Sequence, residues 1–182
     1  SGVALTTQAF VTPLGEVAVD TELAERIAHD VIDDDITAHR HEHSIEVQLP
    51  FLQYIKKDFK FVPICMAIQD HKMAARVGEI IGKAIEGRDV VVLASTDLSH
   101  YEPKAVAEKK DRTVIDAIVK LDPKLVYNVV NKYDVSMCGY GPVMAMLTAV
   151  KGSKATLLKY ATSGDVSPMP DVVGYAAMVV TK

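Results

Sequence analysis

The sequence predicts an α/β fold, a mixed and mainly parallel sheet flanked by helices. Three observations predict it. Short β-rich runs alternate with helix-period segments along the chain. The run Asp89-Val90-Val91-Val92-Leu93-Ala94-Ser95 is apolar without alternation, the pattern of a strand covered on both faces. Two more strand-like runs, 155–162 and 172–181, close the chain. With 182 residues, 49% hydrophobic and 24% charged, the chain suits one domain over 1–182 that buries a core and keeps a polar surface.

Taken in order, residues 3–11 are β-leaning and Thr12-Pro13-Leu14-Gly15 is a turn. Asp20-Thr21-Glu22-Leu23 opens a helix with Leu23, Ile27 and Val31 on one face; Asp20, Glu22 and Glu25 suit its positive N-terminal end. Asp33-Asp34-Asp35 reads as a solvated loop. Residues 43–57 carry Ile45, Leu49, Leu52 and Ile55 at helical spacing, and Pro50 is expected to kink that helix because its ring meets the carbonyl of Glu46. Residues 60–68 are a strand. Asp70 caps a helix over 70–86 that Gly87 stops. Pro103 opens a helix to about Leu121, and Asp122-Pro123 another to about Lys132. Gly141-Pro142 leads an apolar helix from Val143 to Val150.

Composition excludes several classes. A net charge of -4 and basic runs no longer than Lys56-Lys57 or Lys109-Lys110 give no footprint for nucleic acid. No apolar run nears the roughly 18 residues of a membrane span. No signal peptide is visible. Two cysteines are too few for a disulfide framework, so a reducing cytoplasm is expected. The chain begins with Ser1 and enters a strand almost at once, so it is expected to lack a front part.

Three segments carry residues suited to chemistry. Ser95-Thr96-Asp97-Leu98-Ser99-His100-Tyr101 follows the apolar run, at the sheet edge where α/β proteins bind ligands. There Asp97 would orient His100, ligate or cap, and His100 would serve as a general base; a plain surface loop is the bland alternative. Cys138 precedes Gly139 and Gly141 at the start of an apolar helix. Glycines permit close backbone approach, and exposed N–H groups favour a thiolate as ligand or nucleophile. Cys65, within Phe61-Val62-Pro63-Ile64-Cys65-Met66, fits a small buried side chain better. His39-Arg40-His41-Glu42-His43 is ambiguous: as a strand it would put three imidazoles on one face, as a helix His39 and His43. His39 is expected in an exposed polar loop, and His43 is the candidate of the three. The zinc-protease pattern H-E-x-x-H is absent. His29 and His71 are expected on the surface.

With these residues in view, the chain resembles the Memo family, whose prokaryotic members are called AmmeMemoRadiSam system protein B. The resemblance rests on Glu42-His43-Ser44-Ile45-Glu46-Val47-Gln48-Leu49-Pro50, Ser95 to Tyr101, Cys138-Gly139-Tyr140-Gly141-Pro142 and Gly174-Tyr175-Ala176-Ala177. It implies a fold similar to class III extradiol dioxygenases, with this chain as the C-terminal two-thirds of a Memo-like domain. It implies an iron or copper centre in the complete protein, held by two histidines and a cysteine. Cys138 matches that cysteine and His100 the position of the dioxygenase base; Asp97 and His43 match pocket positions. Glu42, Ser99, Tyr101, Gly139 and Tyr140 would line the pocket. The two metal-binding histidines belong to motifs ahead of this chain's opening strand, and neither His39 nor His41 replaces them. Where the dioxygenases use a carboxylate the family has a thiolate, a softer donor.

Three functions are therefore expected to compete. One is a metal-dependent redox or dioxygenase-like enzyme of unread substrate. Another is a metal-free thiol hydrolase using Cys138, His100 and Asp97. The last is a protein- or peptide-binding module in a vestigial dioxygenase pocket. The occupant would be a small molecule or peptide, and the family name implies radical-SAM and Ammecr1-like pathway partners.

Overall fold

The computed structural model describes residues 2–181, which divide into two compact units. One holds the chain through Ile68 together with Ile80–Val91; the other holds Gln69–Glu79 and the chain from Val92 onward. Each is built from short strands and helices, so the α/β class stands.

The first unit is organised on β1 (Val3–Leu5), whose three residues are all buried. It pairs in parallel with β4 (Asp33–Asp34) and antiparallel with β5 (Ile64–Met66), giving the order β4-β1-β5. Asp33 and Asp34 are thus a strand rather than a loop, and Asp35 caps the four-residue α2 (Ile36–His39) by accepting from Thr37 N–H at 2.8 Å. The turn at residues 12–15 joins β2 (Phe10–Thr12) to β3 (Gly15–Val17), with Gly15 at φ 115°, a conformation that glycine tolerates. Helix α1 (Thr21–Ile27) starts where Asp20 accepts from Leu23 N–H at 2.9 Å, and it buries Leu23, Ala24 and Ile27.

The segment after His43 departs from the continuous kinked helix expected. Residues 44–48 form irregular turns, and the regular helix α3 (Leu49–Ile55) begins beside Pro50. The Glu46 carbonyl accepts from Leu49 N–H at 3.3 Å. Proline cannot donate to it, so Pro50 sits in a first turn, where no N–H is required. Only Leu49 is deeply buried; Ile55 is 81% exposed, against the expected apolar face.

His39 is also corrected. The end of α2 lies beside β1, and the imidazole is buried, with its ring edge-on to Phe10 and its Nε2 3.8 Å from Cys65 Sγ. Burial lowers its pKa from 6.5 and raises that of the Cys65 thiol. His43 is exposed, and Glu42 curls back to accept from the N–H groups of His43 and Ser44 at 2.7 and 2.6 Å. Burial pushes the Glu42 carboxyl up, but those hydrogen bonds outweigh it and the pKa falls. Glu42 and His43 both belong to this first unit. His29 is exposed as expected, while His71 is half-buried.

Residues 89–95 are the largest departure. They form no strand, and Val91 and Leu93 are 89% and 54% exposed. An apolar run becomes a buried strand only when neighbouring strands cover it, and no strand pairing involves this run among the described residues.

In the second unit, α4 (His71–Ala84) contributes its first half, opened by Asp70, whose Oδ1 accepts from Lys72 and Met73 N–H. Three helices follow: α5 (Lys104–Val119), α6 (Pro123–Lys132) and α7 (Tyr140–Val150). Helix α6 packs between α5 and α7. Val114, Ile118, Val126, Val130, Met144 and Leu147 fill the space between helices. The long antiparallel pair β7 (Lys154–Thr162) and β9 (Gly174–Thr181) lies against α5, and the short β6 (Glu102–Pro103) pairs with β8 (Asp171–Val172). Among the named strands only β1–β4 is parallel, and the run expected to extend a parallel sheet, 89–95, belongs to none of the sheets.

Candidate metal-binding site

Two loops of the second unit bring the chemistry together. The first, residues 95–101, turns inward at its middle: Leu98 and Ser99 are buried. Leu98 N–H donates to Gly174 O and Gly174 N–H to Ser99 O, both at 2.9 Å. Ser99 N–H donates to the Asp111 carboxylate at 2.9 Å. Ser99 was expected in the pocket, but these ties pull it inside, and its hydroxyl is sealed from solvent. Asp97 and His100, on either side, stay partly accessible, with side chains 46% and 22% exposed.

The second loop joins α6 to α7. Val135 and Met137 are buried while Ser136 and Cys138 are exposed, an extended alternation that turns Ser136 and Cys138 to the same side. Cys138 Sγ accepts from Asp97 N–H at 3.2 Å and lies 3.6 Å from Thr96 Oγ1. Thr96 Oγ1 in turn accepts from Gly139 N–H at 2.8 Å. Gly139 allows this closeness: a Cβ there would stand 2.7 Å from both Ser95 O and Thr96 Cβ. Gln69 ties the other flank, donating to Cys138 O at 2.9 Å and accepting from Gly141 N–H at 2.8 Å.

Ser136 fixes the imidazole of His100. Its carbonyl lies 2.7 Å from His100 Nδ1, and its hydroxyl accepts from His100 N–H at 2.7 Å. A carbonyl only accepts, so Nδ1 carries the proton and the lone pair of the neutral ring is on Nε2. Nε2 faces Asp97, whose carboxylate is 3.7 Å away. Ligand atoms of Asp97, His100 and Cys138 all lie within 4.8 Å of one another. Tyr101 is exposed, with its ring edge toward His100, while Tyr140 is half-buried with its ring toward Tyr127. Tyr175, from the fourth motif, is held above its ordinary pKa first by burial and then by the charge of Asp97.

The donor set fits a transition metal. Bonds of about 2.0–2.3 Å place opposite ligands on one ion at most about 4.6 Å apart, close to the spread of these atoms. A ligating imidazole usually spends its other N–H on a carbonyl or carboxylate, which Ser136 O provides here. Sequence reasoning missed Ser136 and Gln69. The alternation of Val135 and Met137 was the available signal for Ser136; Gln69 has none, being a lone amide at a helix approach.

A sequence model of the family described as Memo-like protein matches residues 1–179. Archaeal relatives are similar over nearly the whole chain. A MEMO1 family protein of Methanococcoides burtonii is 50% identical over 186 residues, covering 99% of this chain and 70% of its own length. Another, of Methanopyrus kandleri, is 53% identical over 184 residues, covering 96% and 65% respectively. A third, of Methanocaldococcus jannaschii, is 48% identical over 192 residues, covering 99% and 67%. The chain thus spans about two-thirds of the length of these relatives, and it belongs to the Memo-like protein family.

Proposed function

We propose that this chain supplies one face of a redox-metal site, for iron or copper, in a dioxygenase-like protein acting on a small molecule. The observation that carries the reading is the convergence of a thiol, an imidazole lone pair and a carboxylate on one partly open spot. A nucleophile relay would set the carboxylate on the far nitrogen of the imidazole, away from the thiol. Here a carbonyl occupies Nδ1, and the Asp97 carboxylate stands at Nε2, the one ring nitrogen left to face a thiol. That favours ligation over a metal-free thiol hydrolase. Cys138, Asp97 and His100 would hold the ion; an imidazole and a thiolate together suit copper and iron.

When bound, the metal would supply Lewis acidity and a redox couple. The residues of the chain do the rest. Asp97 N–H and Thr96 fix the sulfur, and Ser136 presents Nε2. Tyr101, in ring contact with His100, and Tyr175, close enough to feel the charge of Asp97, are both exposed, and an aromatic or apolar substrate at the ion would meet them. Two free thiols suit a reducing compartment, the cytoplasm. No helix among the described residues is long and apolar enough to cross a membrane.

The test is metal analysis and cobalt titration of the chain beside Cys138→Ser and His100→Ala. Thiolate-to-cobalt absorption is expected in the parent and absent from Cys138→Ser, with retained iron or copper down at least about tenfold in both variants. Unchanged metal content in Cys138→Ser would remove the thiolate from the site and the reading with it.

A further inference from the structure

One fully buried charge in the second unit is not used by the site as described. Asp111, on α5, is 0% exposed. Burying a carboxylate is costly unless its oxygens are hydrogen-bonded, and an apolar residue would fill a helix core at no such cost. Asp111 spends both oxygens on specific partners. Oδ1 accepts from Ser99 N–H at 2.9 Å, and Oδ2 accepts from Tyr160 O–H at 2.7 Å. Gly174 leaves room for this: a Cβ there would collide with Asp111 Oδ2. The Arg112 guanidinium lies 5.2 Å from the centre of the Tyr160 ring, covering the phenol that donates. The result is a carboxylate braced from β7 and aimed at one peptide N–H.

That N–H belongs to Ser99, one of the two residues between Asp97 and His100. The peptides on either side of it are clamped to β9 by Leu98 N–H and Ser99 O, so Asp111 fixes the middle of the loop while both metal-facing side chains project from its ends. The preceding residue acts on the neighbouring strand of chain. Lys110 Nζ donates to Glu102 at 2.5 Å, just past the first loop, and to Asp134 O at 2.9 Å, at the entry to the second. Asp134 has φ 49°, in the left-handed region that aspartate adopts more readily than most side chains. One turn of α5 therefore grips both loops, with a buried anion on one and an ammonium on the other.

We propose that Asp111 is a positioning residue for the metal site: through the Ser99 peptide it sets the separation of Asp97 and His100 from Cys138. Lys110 does the same for the entry to the Cys138 loop. The inference rests on the proposed metal-binding reading, and its test separates the two.

The variants are Asp111→Asn, which keeps the shape and loses the charge, and Tyr160→Phe, which removes the brace alone. Val114→Ala is the control, a fully buried truncation on the same helix that touches neither loop's hydrogen bonds. Two readouts are taken on the chain: cobalt affinity with the position of the visible cobalt bands, and amide hydrogen exchange at Ser99. Asp111→Asn is expected to weaken cobalt binding about tenfold and shift the bands, as loss of an outer partner of a metal site commonly does. Tyr160→Phe should do so by a smaller factor, and Val114→Ala should stay within about twofold even at equal loss of thermal stability. Equal affinities and bands in Asp111→Asn and Val114→Ala would make Asp111 a core residue only and overturn the proposal. If the parent chain shows no thiolate–cobalt band, the metal reading falls by itself and exchange decides the positioning. Ser99 exchange about tenfold faster in Asp111→Asn than in Val114→Ala supports it, and equal rates overturn it.

Discussion

Replacing Gly139 by alanine tests whether the two site loops are in forced contact. The added methyl would sit 2.7 Å from Ser95 O and from Thr96 Cβ. Carbon–carbon contacts are comfortable at about 3.5–4.0 Å, so the segments must part by roughly 0.8 Å or more. Overpacking of that kind costs about 1–3 kcal/mol. Parting also stretches the 2.8 Å bond from Gly139 N–H to Thr96 Oγ1, worth about 1 kcal/mol. The sum is about 2–4 kcal/mol. For a chain of this size each kcal/mol lowers Tm by about 2–4 °C, so a fall of roughly 4–16 °C is expected. Thermal unfolding by circular dichroism reads it directly. Gly87→Ala is the contrast: nothing lies within 4 Å of a Cβ there, and its φ of 72° leaves only backbone strain of about 1–2 kcal/mol. The readout specific to the site is Cys138. Its sulfur accepts from Asp97 N–H across the same gap, so Gly139→Ala should speed alkylation of Cys138 by a small neutral reagent, while Gly87→Ala should not. A Tm within about 2 °C of the parent, with unchanged alkylation, would mean the loops part freely, and the argument for a built site would fail.

Two further outcomes follow from charge and burial. Lys104, followed by the N–H and hydroxyl of Thr162, holds the Asp165 carboxyl down at about 2, below its ordinary 3.8. A depressed acid contributes stability above the unfolded pKa and loses it as pH falls through the folded one, so the urea midpoint should drop between about pH 4 and 2, and Asp165→Asn should flatten that limb. An equal acid limb in Asp165→Asn would refute the assignment. His39 is a base whose folded pKa is lowered, chiefly by burial, so the unfolded chain takes up its proton first. Stability should therefore be full above about pH 6.5 and decline as pH falls below it; His39→Leu should reduce that decline, with the other five histidines unchanged, and an identical slope would refute the burial argument.

The legible parts of the fold were those decided by local rules. Asp20, Asp70 and Asp122 each precede a helix, and each carboxylate accepts the N–H groups a helix start leaves unpaired. Gly15 and Gly87 sit at positive φ where turns and helix ends need them. What depended on neighbours was not legible. Val91 and Leu93 look like core, but hydrophobicity states a preference and not the presence of a covering surface. Pro50 kinks or starts a helix according to where the helix begins, and residues 43–48 offer no cap to decide it. His39 looked polar because a helix of four residues has no readable period, and its burial comes from β1.

The candidate site divides in the same way. Asp97, His100 and Cys138 stood out by residue type at a loop and at a helix start. Their convergence did not, because Cys138 lies 38 positions beyond His100 and the distance is closed by Ser136 O, Asp97 N–H and Gln69. Two of those three partners are main-chain groups, which every residue possesses and no sequence advertises. Asp111 was passed over for a related reason: an acidic residue inside a helix reads as solvated until the peptide it binds is seen.

The carbonyl that holds His100 Nδ1 belongs to the main chain at position 136. No exchange of side chain at that position can delete it. Which nitrogen of the imidazole is offered outward is therefore inherited with the course of the polypeptide and survives sequence drift at 136. Only proline or an insertion, by re-routing the chain between Asp134 and Cys138, would turn the ring over.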